Sequence, residues 1–340
     1  MEKSKRTRLY ICLAVFFAAA FVAGTFWDLP VARALYSENN RVAVIFSVLG
    51  LYLFFGSYVF LLGVLCRQLL VANSKGENGK GANGKRWIRW LILLLFVYLT
   101  LSTSALGGGG FISDSVCGFL FPEKTGSLWE YLLAGLILFV PLFPLGMLAN
   151  KDRYDKTVVR RLIVLLAFMC FAFFLSSFVK STVMRPRYRI TLLGYEGVEF
   201  VPWYSLLKNS KFLMSFYDLV SDDLGSFFSG HAMNAMLNLA IISAFAGAFP
   251  KVKEKEKSLI ILAIAISVPI MLSRMVLGDH YLSDVAFGAL AGLKMCYSVE
   301  KVGDKAESFS LHSVKKKIIG CKLHREKSRS SLNTGLFTDW

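Results

Sequence analysis

Apolar stretches long enough to cross a membrane recur eight times along this chain, at about 9–27, 43–65, 88–106, 129–149, 162–179, 231–249, 258–277 and 281–299. Each holds roughly 18 to 24 residues, enough as a helix to span a hydrocarbon core about 30 Å thick. The composition agrees: 55% of the residues are hydrophobic, only 18% are charged, and the mean hydropathy is +0.53. A soluble protein of 340 residues needs far more charge to cover its water-facing surface. An ordinary soluble domain, a disordered chain and the usual kind of nucleic-acid binder are therefore excluded. The expected fold is all-α, a polytopic membrane bundle of about eight transmembrane helices. The first stretch follows Lys3, Lys5, Arg6 and Arg8 but is long and lacks a small-residue cleavage site near Phe26–Asp28, so it reads as a retained helix. The fourth contains Pro141 and Pro144, which predict a kink.

The net charge of +16 is a topology signal. Alternate connections carry 28 of the 39 Lys and Arg residues: the N-terminal tail, the loops at 66–90, 150–161 and 250–257, and the tail 300–340. By the positive-inside rule both termini are cytoplasmic, in a cell membrane, and the segments 28–42, 107–128 and 180–230 face outward. The excess cations suit the anionic inner leaflet rather than a nucleic acid. The segment from Asn73 to Lys85 reads as a flexible linker. Gly107 to Gly110 reads as a flexible break at a membrane exit, with a ligand-cradling role as the alternative. The six cysteines have no metal-ligand spacing, and no disulfide framework or metal site is expected.

Ionisable residues at membrane depth are few and usually functional. Here they gather at the outward ends of the last four helices. Lys180 closes the fifth helix, with Arg185, Arg187 and Arg189 after it; Ser229, Gly230 and His231 open the sixth; Ser273 and Arg274 close the seventh; His280 and Asp284 open the eighth. Four residues apart on a helix, His280 and Asp284 would stack, so that the carboxylate could accept the Nδ1 proton and leave Nε2 as a nucleophile or base. His231 supplies a second acid–base group. Ser229 and Gly230 at a helix N-terminus favour an anion, and Lys180, Arg187 and Arg274 offer fixed cations. The sum is a phosphoryl-transfer site with no required metal.

These residues resemble the signature of the type 2 phosphatidic acid phosphatases, the acid phosphatase/vanadium haloperoxidase superfamily: Lys-x6-Arg-Pro, Pro-Ser-Gly-His and Ser-Arg-x5-His-x3-Asp. The third motif is intact from Ser273-Arg274 through His280 to Asp284. The second reads Phe228-Ser229-Gly230-His231, with Phe for Pro; the first runs from Lys180 to Arg187-Tyr188, with Tyr for Pro. The resemblance covers about 88–299, taken as a six-helix core. It leaves 1–87 as two extra helices with a linker, and 300–340 as a basic cytoplasmic tail. It implies that His280 is the nucleophile forming a phosphohistidine, that Asp284 orients it, and that His231 protonates the leaving oxygen and then activates water. Lys180, Arg187, Ser229, Gly230 and Arg274 would hold the phosphoryl oxygens. Arg185, Arg189, Asp279 and Tyr188 are candidates for supporting or specificity roles.

The implied function is a metal-independent lipid phosphate phosphatase acting on the outer membrane face, without a cofactor. Its partner would be a phosphorylated membrane lipid: an isoprenyl diphosphate, phosphatidate, phosphatidylglycerophosphate or a lipid A type. The alternatives are a lipid phosphotransferase using the same site and a non-catalytic scaffold or transporter; vanadate-dependent halide oxidation belongs to soluble relatives. The segment 190–226, with Phe200, Trp203, Tyr204, Phe212, Phe216 and Tyr217, is a candidate headgroup cap and gate, or else a short interfacial helix.

Overall fold

Helices form at every apolar stretch. A computed structural model describes residues 3–74, 82–112, 127–149 and 154–303. The long helices are α1 (Lys3–Leu35), α2 (Arg41–Ser74), α3 (Ala82–Phe111), α6 (Lys156–Val183), α9 (Gly230–Ala248), α10 (Pro250–Val276) and α11 (282–303). Shorter ones are α4 (Leu128–Leu138), α5 (Leu142–Ala149), α7 (Tyr188–Thr191) and α8 (Ser210–Phe216). Residues Met1–Val299 make one compact unit, which holds the helical bundle, and Glu300–Trp340 make a second. Residues 75–81 of the expected linker and 304–340 of the basic tail lie outside the described residues.

Six of the eight expected spans are long and apolar enough to cross a membrane: Ser4–Leu35, Arg41–Ala72, Trp87–Gly110, Leu128–Ala149, Lys156–Thr191 and Lys251–Val276. The remaining two are α9, with 19 residues, and α11. The protein is thus a multi-pass helical bundle with lipid-facing side chains such as Phe171, Phe174 and Phe178 of α6 exposed. α9 is different: Ala232, Met233, Ala235, Met236, Leu237, Leu239 and Ala240 are all buried, which marks it as a central helix enclosed on all sides. It packs on α10, α6 and α2.

Local chemistry sets the helix ends. Asp155 caps α6 by accepting from the Thr157 and Val158 amides, and Met184 ends it in the left-handed conformation, φ 51°. Pro186 then forbids further helix. Ser127 and Glu130 form a reciprocal capping box on α4. The expected kink lies between α4 and α5, at Phe139–Pro141.

The four-glycine run is not a break. It is helical, and a Cβ on Gly108 would stand 2.1 Å from the Tyr131 carbonyl oxygen of α4. Reciprocally, one on Gly135 of α4 would stand 2.2 Å from the Ser104 carbonyl of α3. Without side chains the two backbones touch, a common way to join helices in lipid. α11 approaches α9 in the same way: a Cβ on Gly288 or Gly292 would lie 2.3 Å from the Ser229 or Met233 carbonyl.

Between α6 and α9, residues 184–229 fold back over one end of the bundle. Ile190, Val198, Leu213 and Leu224 give this segment a small core of its own. Leu192, Leu193, Tyr204, Leu206, Phe212 and Phe216 remain exposed on it.

Gly288→Ala forces α11 off α9 and is predicted to destabilise the detergent-solubilised protein by about 1–3 kcal/mol. Gly109→Ala, whose Cβ would meet nothing closer than 3.9 Å, is predicted to leave the thermal midpoint unchanged or slightly raised. Equal midpoints for the two variants would contradict the close-packing account.

Candidate active site

The 184–229 segment and the end of the bundle under it hold every candidate site residue. Lys180 sits in the last turn of α6. Arg185 and Arg187 lie in the extended stretch after it, pinned by the backbone bonds Ser226 N to Arg185 O, 3.0 Å, and Arg187 N to Asp223 O, 2.9 Å. Ser229 caps α9, accepting from Ala232 N, and its own amide donates to the Asp284 carbonyl at 3.0 Å. Gly230 and His231 form the first turn of α9. Arg274 ends α10, and a turn through Gly278, φ +68°, leads to Asp279 and His280 before α11 begins. A side chain at Gly278 would collide with Tyr36 and the Arg189 backbone.

Both motif departures are packing substitutions. Phe228, standing where the resemblance expects Pro, is buried against Phe227 and Phe287. Tyr188 is buried between Tyr36 and Tyr281, at ring distances of 5.4 and 6.3 Å.

The cations converge. Lys180, Arg187 and Arg274 all act electrostatically on both His231 and His280. Asp279 is a buried carboxylate shared by three guanidinium groups: Arg187 at 2.5 Å, Arg274 at 2.8 Å and Arg189 at 3.0 Å. Burial opposes its ionisation, but Arg274, Arg187 and Arg189 outweigh this and hold its carboxyl far below the usual range. Asp222 takes the other side of Arg187, at 2.5 Å, and Asp223 pairs with Arg189 at 3.2 Å.

His280 is almost fully buried. Burial first, and then the cations Lys180, Arg274 and Arg187, push its imidazole well below the ordinary value. Its Nδ1 lies 2.5 Å from the Ser226 carbonyl oxygen. A carbonyl can only accept, so the proton is on Nδ1 and Nε2 is bare. This differs from the pairing expected from sequence, since Nδ1 is 3.9 Å from Asp284 Oδ2. The physical reason is that His280 precedes α11 rather than lying in it, so helical stacking does not apply. Asp284 instead closes the first turn of α11, accepting from Tyr281 N at 2.8 Å, and accepts from the Ser226 hydroxyl at 2.5 Å. Ser226 therefore joins the two residues, its hydroxyl to Asp284 and its carbonyl to His280.

Ser226 had no signal in the sequence. Neither did Ser47 of α2, whose hydroxyl accepts from Arg274, nor Gly50, where a Cβ would stand 3.1 Å from the His231 ring. Asp28 of α1, paired with Arg185 at 2.8 Å, did have one: it is an acidic residue at the end of an apolar run. Among the described residues no group of three or more His, Cys, Asp or Glu side chains could hold a metal ion. What the cluster can hold is a tetrahedral oxyanion, with a bare imidazole nitrogen beside it.

Residues 161–306 match the family model of the PAP2 superfamily. The Phosphatidylglycerophosphatase B of Bacillus subtilis (strain 168) is 34% identical over 95 residues, which are 28% of this chain and 47% of that protein. The chain thus spans about half the length of that relative. No solved structure matches it.

An anion-binding cluster with an internal carboxylate predicts opposite effects of two substitutions. Asp279→Asn removes a charge that competes for the guanidinium groups and should tighten inorganic phosphate binding. Arg274→Gln should weaken it, each by on the order of tenfold. Titration calorimetry of the purified protein checks both; shifts of the same sign would contradict the arrangement.

Proposed function

We propose, from the match of residues 161–306 to the PAP2 superfamily model, that this protein is an integral-membrane lipid phosphate phosphatase working through a phosphohistidine at His280. The observation that carries the reading is the clustering of Arg187 and Arg274 on Asp279, next to a His280 whose Nδ1 is committed to a carbonyl and whose Nε2 is bare. Substrate phosphate enters among the three cations, Lys180, Arg187 and Arg274, and the first turn of α9, where Gly230 offers its backbone N–H and Ser229 its hydroxyl. Nε2 of His280 attacks phosphorus, and the bond from phosphorus to the lipid oxygen breaks. His231 gives that oxygen a proton. Water then attacks the phosphohistidine, losing its proton to His231, and inorganic phosphate leaves as the imidazole is restored. The arginines and Lys180 offset the charge on the phosphoryl oxygens throughout, and no metal is needed for any of these steps.

The charge pattern of the loops supports a site on the extracytoplasmic face of a cell membrane with both termini inside. The exposed apolar residues on the segment over the site suit contact with the tails or interface of a membrane lipid. The name of the Bacillus relative makes phosphatidylglycerophosphate the first substrate to try.

The experiment is phosphate release from purified protein over a panel of phosphatidylglycerophosphate, phosphatidate, an isoprenyl diphosphate and a lipid A analogue, with and without chelator. Release should persist in chelator and vanish in His280→Ala; release in that variant, or a strict need for a divalent ion, would overturn the mechanism. The pH profile carries a second expectation. A neutral His280 is the reactive form, and its depressed protonation keeps it neutral as pH falls. The acid limb of kcat/KM should therefore lie below about 6.5, the ordinary histidine value. A limb above 7 would contradict the burial and cation effects.

A further inference from the structure

α1 lies outside the segment matched by the PAP2 family model, yet its end is built into the site. Asp28, on its final turns, is 2% exposed. Its Oδ1 accepts from the Ser283 amide at 2.8 Å. Its Oδ2 accepts from the Ser283 hydroxyl and from Arg185 Nη2, the latter at 2.8 Å. Arg185 has no exposure at all. Its Nη1 donates to Asp284 Oδ1 at 2.5 Å and to Ser283 Oγ at 3.0 Å. Its Nε donates to the Val201 carbonyl at 2.7 Å, and the guanidinium lies 4.1 Å from the centre of the Tyr281 ring. One turn back along α1, a Cβ on Gly24 would stand 2.5 Å from Ser283 N, so α1 meets the start of α11 backbone to backbone.

The contacts form a continuous line from α1 to the imidazole: Asp28 to Arg185, Arg185 to Asp284, Asp284 to the Ser226 hydroxyl, and the Ser226 carbonyl to His280 Nδ1. We propose that Asp28 is a positioning residue for phosphoryl transfer, acting through Arg185 and Ser283 on the Asp284 carboxylate and so on His280, an inference that rests on the phosphatase reading above. A guanidinium held between two carboxylates neutralises neither fully. Asp284 keeps part of its charge to balance the positive ring that forms when His280 is phosphorylated. With Asp28 uncharged, Arg185 is left to Asp284 alone, and the first turn of α11 loses the acceptor that fixes Ser283. The cations that hold phosphate, Lys180, Arg187 and Arg274, are untouched. The effect therefore falls on turnover rather than on substrate binding.

The test is steady-state phosphate release by the full chain in detergent micelles, with wild type and His280→Ala as reference points. Asp28→Asn should lower kcat by roughly tenfold to a hundredfold with KM within about twofold. Asp28→Glu should restore part of the loss. The double variant Asp28→Asn/Arg185→Gln should be no slower than Arg185→Gln alone, because the first residue acts through the second. Unchanged kcat in Asp28→Asn, a loss carried by KM, or losses that multiply in the double variant would each overturn the proposal. If Asp28→Asn is not monodisperse, Ser283→Ala replaces it: a several-fold fall in kcat at constant KM is expected, and an unchanged kcat overturns the inference. An inactive wild type would overturn the phosphatase reading and this inference with it. An active wild type with an unaffected Asp28→Asn sinks the inference alone.

Discussion

A guanidinium removed wholly from water must be paired on every side, and Arg185 is. Two carboxylates, a hydroxyl, a carbonyl and an aromatic face take up its donors and its charge. Removing one partner from such a buried set costs about 3–5 kcal/mol, since a charge is then left without compensation. This constraint ties together four parts of the chain far apart in sequence: the end of α1, the stretch after α6, the approach to α9 and the start of α11. The bundle can close at this end only with those pieces in register.

The proposed catalytic arrangement inherits that register. His280 sits on a turn, where a histidine has little to hold it. Its ring is held by the Ser226 carbonyl, and Ser226 is fixed from both sides by Arg185 O and Asp284. Gly288 and Gly292 let α11 lie against α9, which brings Ser229, the cap of α9, within hydrogen-bond reach of the Asp284 carbonyl. The N-terminus of α9 and the start of α11, next to His280, are thus set by one contact between two helices. Asp279 and Asp222 keep the clustered cations compensated within the fold, so the cluster can stand among buried side chains.

The helices and the site cluster were legible because membranes impose simple rules. An apolar run of the right length must be a helix, and a polar residue at the end of one needs a reason. Lys180, Arg187, Ser229, His231, Arg274, His280 and Asp284 stood out on that ground and lie together. What could not be read were contacts that depend on how helices meet. Gly107 to Gly110 looks like a break in one dimension and proves to be a packing surface, because nothing local shows that α4 will touch it. The link from His280 to Asp284 passes through Ser226, since a turn, not a helix, carries the histidine. The chain's N-terminal helices looked like additions to a core running over 88–299. Asp28, Ser47 and Gly50 nevertheless reach the site residues, while α3 and α5 pack with α2, and α4 with α3. A carboxylate at the end of the first apolar run was the available clue, and only the fold gives it a partner.

The proposed mechanism turns on the passage of a phosphoryl group through Nε2 of His280. Rapid quenching of the purified protein with a lipid carrying labelled phosphate tests it most directly. The expected result is a transient, acid-labile and base-stable label on the peptide containing residue 280, decaying as labelled inorganic phosphate appears. Turnover with no label on the protein, or with label on any other residue, would contradict it.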